Sequence, residues 1–213
     1  MTFNSILQIA VYFIVFILLV KPLGLYMAHV YQGEHTFLDR PLRPVERFLY
    51  RLFGIKPEDE MDWKVYAISL LVFSLVSFIV VYLLQRIQGF LPFNPQKFGA
   101  VNPDLSFNTA ISFITNTNWQ AYGGESTLSN FSQMGGITFP MFTSATTGFV
   151  VAMAWIRAFT AQNGGSDLGN FYRDFIRFLT RVLLPICRGV LHDRARSRPD
   201  FGRERDSAYA AGR

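Results

Sequence analysis

The sequence predicts an all-α membrane protein, and three observations carry that prediction. Val65 to Leu84, "VYAISLLVFSLVSFIVVYLL", runs without a charge. As a helix rising about 1.5 Å per residue it spans roughly 30 Å, the thickness of a bilayer's hydrocarbon core. Phe3 to Val20, "FNSILQIAVYFIVFILLV", is equally uncharged and is continued past Lys21 by "PLGLYM", so it too can span. Half of the 213 residues are hydrophobic and the mean hydropathy is positive, which is high for a soluble domain of this size.

For the N-terminal stretch the competing reading is a cleaved signal peptide, which wants a basic start and a small-residue cleavage site. No Lys or Arg precedes the apolar run and no Ala-x-Ala follows it, so a retained span is expected. A third uncharged stretch, Gly135 to Ile156, "GGITFPMFTSATTGFVVAMAWI", is rich in Gly, Ser, Thr and Ala. That is the composition of a helix packed closely on other helices, with little lipid contact.

Charge sets the expected orientation. Between the first two spans lie Lys21, Arg40, Arg43, Arg47, Arg51 and Lys56, whereas the connection after Leu84 offers only Arg86 and Lys97. The positive-inside rule puts the first connection in the cytoplasm, and the basic residues Arg157, Arg173, Arg177 and Arg181 put the chain past the third span there too. The N-terminus and the connection 85–134 are then outside. Arg157 itself is expected to do no more than anchor the inner end of its span. Within the first connection, "FLDRPLRPVERFLYRLFG" has Arg47 and Arg51 four apart with Phe48, Leu49 and Leu52 interleaved. This is an amphipathic stretch, expected to lie at the interface or dock on a partner.

Several chemistries find no support. A single cysteine, Cys187, excludes an internal disulfide framework and is expected only to pack. His29, His35 and His192 are scattered and are expected to be exposed, with no carboxylate companion marking a zinc site or a catalytic base. No phosphate-binding glycine loop or aspartyl-phosphate motif occurs, so nothing in this chain predicts nucleotide hydrolysis.

Between the second and third spans the chain is too polar to cross, yet it carries a short helical signal. Asn102 is a good N-cap, Pro103 suits the first helical position and Asp104 complements the positive end of the dipole. "LSFNTAISFIT" follows, with Leu105, Phe107, Ala110, Ile111 and Ile114 apolar, and predicts a helix of about three turns. A short helix ending in a polar loop between two spans is the layout of a re-entrant pore loop. The carbonyls at its end place partial negative charge beside "TNTNWQAYGGE", 115–125, which favours a cation.

Backbone carbonyls replace an alkali ion's hydration shell when a loop is held extended with its oxygens inward. Thr115, Asn116, Thr117 and Asn118 are the expected carbonyl donors, their side chains hydrogen-bonding behind the loop. Trp119 is expected to wedge the loop, Gln120 to present an amide near the mouth, and Gly123 with Gly124 to let the chain turn back out. Glu125 would add negative charge at the outer entrance. An ordinary extracellular loop of Asn, Thr and Gly stands beside this as the alternative.

The succession "FNTAISFITNTNWQAYGGE", 107–125, followed by "GGITFPMFTSATTG", resembles the first pore repeat of the potassium-translocating subunit of the Kdp-type potassium-transporting ATPases. The similarity also covers "PLGLYMAHVYQGE" and "PFNPQKFG", and runs from the start to about Cys187. The resemblance implies an extra N-terminal membrane helix (1–27), a cytoplasmic amphipathic connection (28–61), and one channel-like repeat over 62–160. In that repeat the outer helix is 65–84, the pore helix 103–115, the filter 115–125 and the inner helix 135–156. A link and the start of a second repeat follow over 161–187.

The resemblance further implies that the ion is K⁺ and that Gln120, Gly123 and the preceding Asn and Thr residues line the filter. ATP would be split by a separate P-type subunit, with small accessory membrane subunits beside it, in a bacterial inner membrane. Membrane lipid is the other expected partner, and nucleic acid is not expected.

After Cys187 the text changes character: residues 188–213 hold seven arginines and no lysine, and have no counterpart in that family. Out-of-frame or foreign sequence is the favoured expectation, a natural basic tail drawn to anionic headgroups the alternative. The chain is accordingly expected to be either a working transport component or a truncated, non-conducting fragment; a small self-assembling cation-channel subunit is a further possibility.

Overall fold

The computed structural model of the chain describes residues 2–36, 38–160 and 168–189. The link 161–167 and the tail from residue 190 onward lie outside the described residues. Helix α1 is Phe3–Gln32, α2 is Asp39–Leu52, α3 is Trp63–Arg86 and α4 is Pro103–Ile114. A single turn, α5, occupies Gly124–Thr127, and a π-helical segment, Ser132–Thr138, leads into α6, Phe139–Thr160. Helix α7, Phe171–Arg177, passes into a second π-helical segment, Phe178–Leu183, and the chain stays helical over 184–189. Among the described residues there is no strand, and three helices are long and apolar enough to cross a membrane: Phe3–Gln32, Trp63–Arg86 and Ser132–Thr160.

Local chemistry sets the ends. Asp62 caps α3 by accepting from Val65 N at 2.7 Å, so the helix begins two residues before the uncharged run. At the end of α1, Gly33 adopts φ +79°, which only a residue without Cβ takes without strain. Its position lets Glu34 N reach His29 O at 3.0 Å, and carries α1 beyond residue 27 to Gln32. In α6 the hydroxyls of Ser144, Thr146 and Thr147 donate to Pro140, Phe142 and Thr143 carbonyls at 2.7–2.8 Å. Polar side chains in an apolar helix are thereby satisfied within it.

The three long helices differ in what they bury. In α1 side chains such as Leu18, 69% exposed, meet nothing in the chain, and only Val30 and Tyr31 at its end are buried. Helix α6 has the largest buried share, as its small-residue composition predicts. Two apolar clusters result. One joins Tyr31, Tyr66, Val150 and Ala154 to Phe171, Phe175, Phe178 and Val182, with the Phe149 and Phe178 rings stacked at 4.2 Å. The other, Val101, Phe113, Leu128 and Ile137, lies beneath the loop that follows α4.

The larger cluster is bounded by charge, and here the arginines form buried pairs across helices. Arg157 pairs with Asp174, which is fully buried, and donates to Leu168 O at 2.8 Å. It is therefore a tie between α6 and α7, where simple anchoring was expected. Gly169 makes room for it, since a Cβ there would collide with the guanidinium. Asn170 caps α7 and donates to Asp59 O at 3.0 Å.

Arg181 is 5% exposed and Glu46 4%. Its Nη2 donates to Glu46 Oε2 and its Nη1 to Asp39 Oδ1, both at 2.7 Å, while Thr180 Oγ1 donates to Glu46 Oε1 at 3.0 Å. This buried network clamps α2 onto the segment after α7.

Burial alone would raise the Asp39 pKa, but the Thr36 hydroxyl at 2.7 Å and the Arg181 charge outweigh it and hold the carboxyl below its ordinary value of 3.8. A carboxyl whose pKa is lowered by folding stabilises the fold above the unfolded value and loses that contribution as pH falls through the folded one. Thermal unfolding in detergent is thus expected to show Asp39→Asn costing stability near neutral pH but little below its folded pKa. Arg181→Met, which leaves two carboxylates buried without a cation, is expected to cost about 3–5 kcal/mol, and less in a Glu46→Gln background.

Candidate functional site

The candidate site is the loop that leaves α4. Asn102 accepts from Asp104 N at 3.3 Å and Pro103 takes the first helical position, as the sequence predicts. The face that α4 buries is Ser106, Thr109, Ala110, Ser112 and Phe113, whereas Phe107 and Ile111 are exposed. Gln85 of α3 fastens this interface, its amide donating to Ser106 O at 3.4 Å and Val81 O at 3.0 Å.

At its C-terminal end α4 is clasped by its own loop. Ser112 Oγ accepts from Trp119 N at 2.6 Å and donates to Trp119 O at 2.8 Å. Ser112 O accepts from Thr117 N at 2.9 Å and from Asn118 N at 3.1 Å. Asn116 and Asn118 take φ +59° and +57°, the left-handed conformation that Asn tolerates better than most residues. The reversal of the chain therefore lies in two asparagines. Gly123, expected with Gly124 to turn the chain back out, lies in a turn closed by Ser126 N donating to its carbonyl at 3.2 Å, at φ −84° and with no room for a Cβ beside Ser126 Oγ.

With the loop's N–H groups drawn back to the helix, the carbonyls of Thr115, Asn116, Thr117, Asn118 and Gln120 accept no hydrogen bond from any described residue. These residues and Glu125 are exposed on the chain's surface. Side chains brace the loop: Thr115 and Thr117 hydroxyls lie 2.9 Å apart, Asn118 Nδ2 donates to Asn116 Oδ1 at 3.4 Å, and Ser144 of α6 donates to the same oxygen at 3.2 Å.

Trp119 does not wedge the loop, because its ring is 66% exposed. Tyr122 does that instead, packing on Val101, Phe113, Leu128 and Ile137. Burial pushes its phenol up to about 12, and the hydroxyl has no hydrogen-bond partner among the described residues. Outside the loop, Gln88 donates to Gly99 O at 2.7 Å and Thr127 O at 2.9 Å and accepts from Ser129 N at 3.1 Å. Gln133 donates to Gly124 O at 2.9 Å. Neither Gln88 nor Gln133 nor Ser112 stood out in the sequence, for each acts through partners that only folding supplies.

The histidines depart from expectation in one respect. His29 is bonded to Glu34, and His35 Nδ1 lies 3.5 Å from Asp39 Oδ2, so both have carboxylate companions. Both are exposed, and no group of three metal-ligating side chains occurs among the described residues. His192 lies outside them.

Removing the clasp is expected to free the loop while the helices stay folded. Ser112→Ala deletes two hydrogen bonds of about 0.5–1.5 kcal/mol each, and should raise hydrogen exchange at the Trp119 amide roughly ten-fold or more. Asn118→Ala should add strain of about 1 kcal/mol that Asn118→Gly does not. Tyr122→Phe should be close to neutral, whereas Tyr122→Ala should cost about 2–4 kcal/mol.

Comparison with known proteins then adds an independent line. The family model for the potassium-transporting ATPase A subunit, KdpA, matches residues 10–190. A potassium-transporting ATPase potassium-binding subunit of Rhizobium rhizogenes is 51% identical over 187 residues, covering 88% of this chain and 33% of the relative. Subunits of the same description from Brucella anthropi and Methylococcus capsulatus are 53% and 54% identical, with 88% and 87% of this chain and 33% and 31% of theirs covered. The chain thus spans about a third of the length of the curated relatives it matches.

Proposed function

The chain belongs to the family of potassium-transporting ATPase A subunits, and we propose that it supplies one ion-coordinating loop of a K⁺-translocating membrane subunit. Its all-α membrane fold and its relatives' description as potassium-binding subunits support this reading. The observation that carries it is the row of unpaired carbonyls at Thr115, Asn116, Thr117, Asn118 and Gln120, held at the C-terminal, partially negative end of α4. Carbonyl oxygens in that setting replace water around a monovalent cation. Gly123 contributes by position rather than by its carbonyl, which Ser126 engages.

In this reading 62–160 is a channel-like repeat, preceded by α1 as an extra membrane helix and followed over 161–187 by a cytoplasmic link and the start of another. The N-terminus and the loop face outward, and the arginine-rich side faces the cytoplasm. One loop cannot repay the desolvation of a bare ion, which costs tens of kcal/mol by Born estimates. Selection of K⁺ therefore needs oxygens from further repeats, and energy from a separate ATP-hydrolysing subunit. The chain alone is expected to show no K⁺-selective flux.

The test is a fusion of residues 1–187 to the remaining two-thirds of a relative, assayed for growth and K⁺ uptake at low external K⁺ in cells that lack other uptake. Gln120→Arg should weaken apparent K⁺ affinity roughly a thousand-fold, since a cation 4 Å from the path costs about 4 kcal/mol at an effective dielectric of 20. Thr117→Ala, which leaves the carbonyls in place, should cost less than about five-fold. Unchanged uptake and unchanged K⁺ over Na⁺ preference in Gln120→Arg would sink the assignment.

A further inference from the structure

Helix α2 segregates its side chains into three faces. Asp39 and Glu46 lie on the face that meets Arg181 and are buried there. At about 100° per residue, Arg40, Arg43, Arg47 and Arg51 fall within an arc of about 80° and extend about 16 Å along the axis. All four are exposed, and none forms an ion pair with a described carboxylate, because Asp39 and Glu46, on the adjoining face, are engaged by Arg181. The third face carries Val45, Phe48 and Leu52, with Phe48 62% and Leu52 61% exposed. A groove of about 450 Å³ runs beside the arginine stripe, lined by His35, Thr36, Arg40, Arg43, Pro44 and Arg47. Asp39 also borders it, but its Oδ1 is held by Arg181 and Thr36, so the wall is net positive.

We propose that this stripe and groove bind the phosphate headgroup of an anionic phospholipid, with Val45, Phe48 and Leu52 inserted among its acyl chains. The match is one of charge and geometry together. Guanidinium groups donate in pairs to phosphate oxygens, and an apolar face beside a basic one places a helix in the interface plane. A free phosphate needs no apolar stripe, whereas a phospholipid supplies both the anion for the arginines and the chains for the apolar face beside them. The clamp between α2 and Arg181 holds the helix in place before lipid arrives. The inference rests on the membrane placement of the chain, not on the ion, so the two stand or fall in separate assays.

Native mass spectrometry of the detergent-purified full chain tests it, with phosphatidylglycerol and phosphatidylcholine of identical acyl chains as probes and sodium phosphate as competitor. The expected result is retention of phosphatidylglycerol about a hundred-fold tighter than phosphatidylcholine, roughly five-fold for each of three arginines, and undisturbed by phosphate. The triple variant Arg40→Gln, Arg43→Gln, Arg47→Gln should reduce the preference to about two-fold. Arg47→Gln alone should cost about five-fold, the ratio for one basic residue at an anionic surface, and serves if the triple variant does not fold. Phe48→Ser with Leu52→Ser should weaken both lipids alike. A triple variant that keeps its preference overturns the proposal, as does displacement of the lipid by inorganic phosphate, which would mark a free-anion site. Loss of a co-purifying protein with lipid binding intact would equally overturn it and make the stripe a protein interface.

Discussion

Backbone N–H groups need acceptors, and at the end of α4 the last turn of the helix provides them. The loop after the helix returns its N–H groups to the last turn: Thr117 N and Asn118 N to Ser112 O, Trp119 N to Ser112 Oγ. Donors are thereby consumed by the helix end and acceptors are left over. The row of free carbonyls is a consequence of that allocation, since an N–H spent on the helix cannot pair with a neighbouring C=O. A single residue, Ser112, accepts all three, two through its carbonyl and one through its hydroxyl, which with Tyr122 packed below lets a helix of three turns hold the loop.

The opposite end of the chain solves a different problem with charge. Arg157 with Asp174, and Arg181 with Glu46 and Asp39, are buried pairs. Pairs of this kind seldom add much net stability over apolar packing, but they penalise every arrangement in which one partner is left alone. They therefore specify how α6, α7 and the amphipathic helix α2 sit together more than they strengthen the assembly. Clusters at the two ends differ accordingly: aromatic stacking and ion pairs at one, hydroxyl and amide hydrogen bonds at the other.

Much of the fold was legible because uninterrupted apolar runs of spanning length have few other uses, and because Asn102, Pro103 and Asp104 mark a helix start by local chemistry alone. The loop was legible as a polar island but not in its mechanics. The glycines mark the turn at 123–126, but the left-handed residues that fold the loop back onto α4 are Asn116 and Asn118, a role that an Asn pair with one intervening residue hints at without settling. Trp119 is the expected wedge, whereas Tyr122 has the apolar cluster within reach. Arg181 meets Glu46 and Asp39 across 135 and 142 residues, and no periodicity reports such a pairing. Nothing in the spacing of residues 132–138 predicts the π-helical register found there.

Helix α4 shows why hydrophobic periodicity misleads where the surroundings are themselves apolar. Of its apolar side chains Ala110 and Phe113 turn inward, yet Phe107 and Ile111 are exposed while Ser106, Thr109 and Ser112 are buried. Phe107 instead meets Phe78 of α3 edge-on at 5.5 Å, along the outer margin of the contact. Where the exterior offers no water, burying a hydroxyl against a carbonyl is favoured and burying a phenyl ring gains little. The inward residues recur at intervals of three, so Ser106, Thr109 and Ser112 lie along one side of the helix. The side that packs on α3 through Gln85 is thus also the side that clasps the loop. Rotating α4 to bury its apolar face would carry Ser112 away from Trp119, so the position of the carbonyl row is set by the packing of α4 on α3.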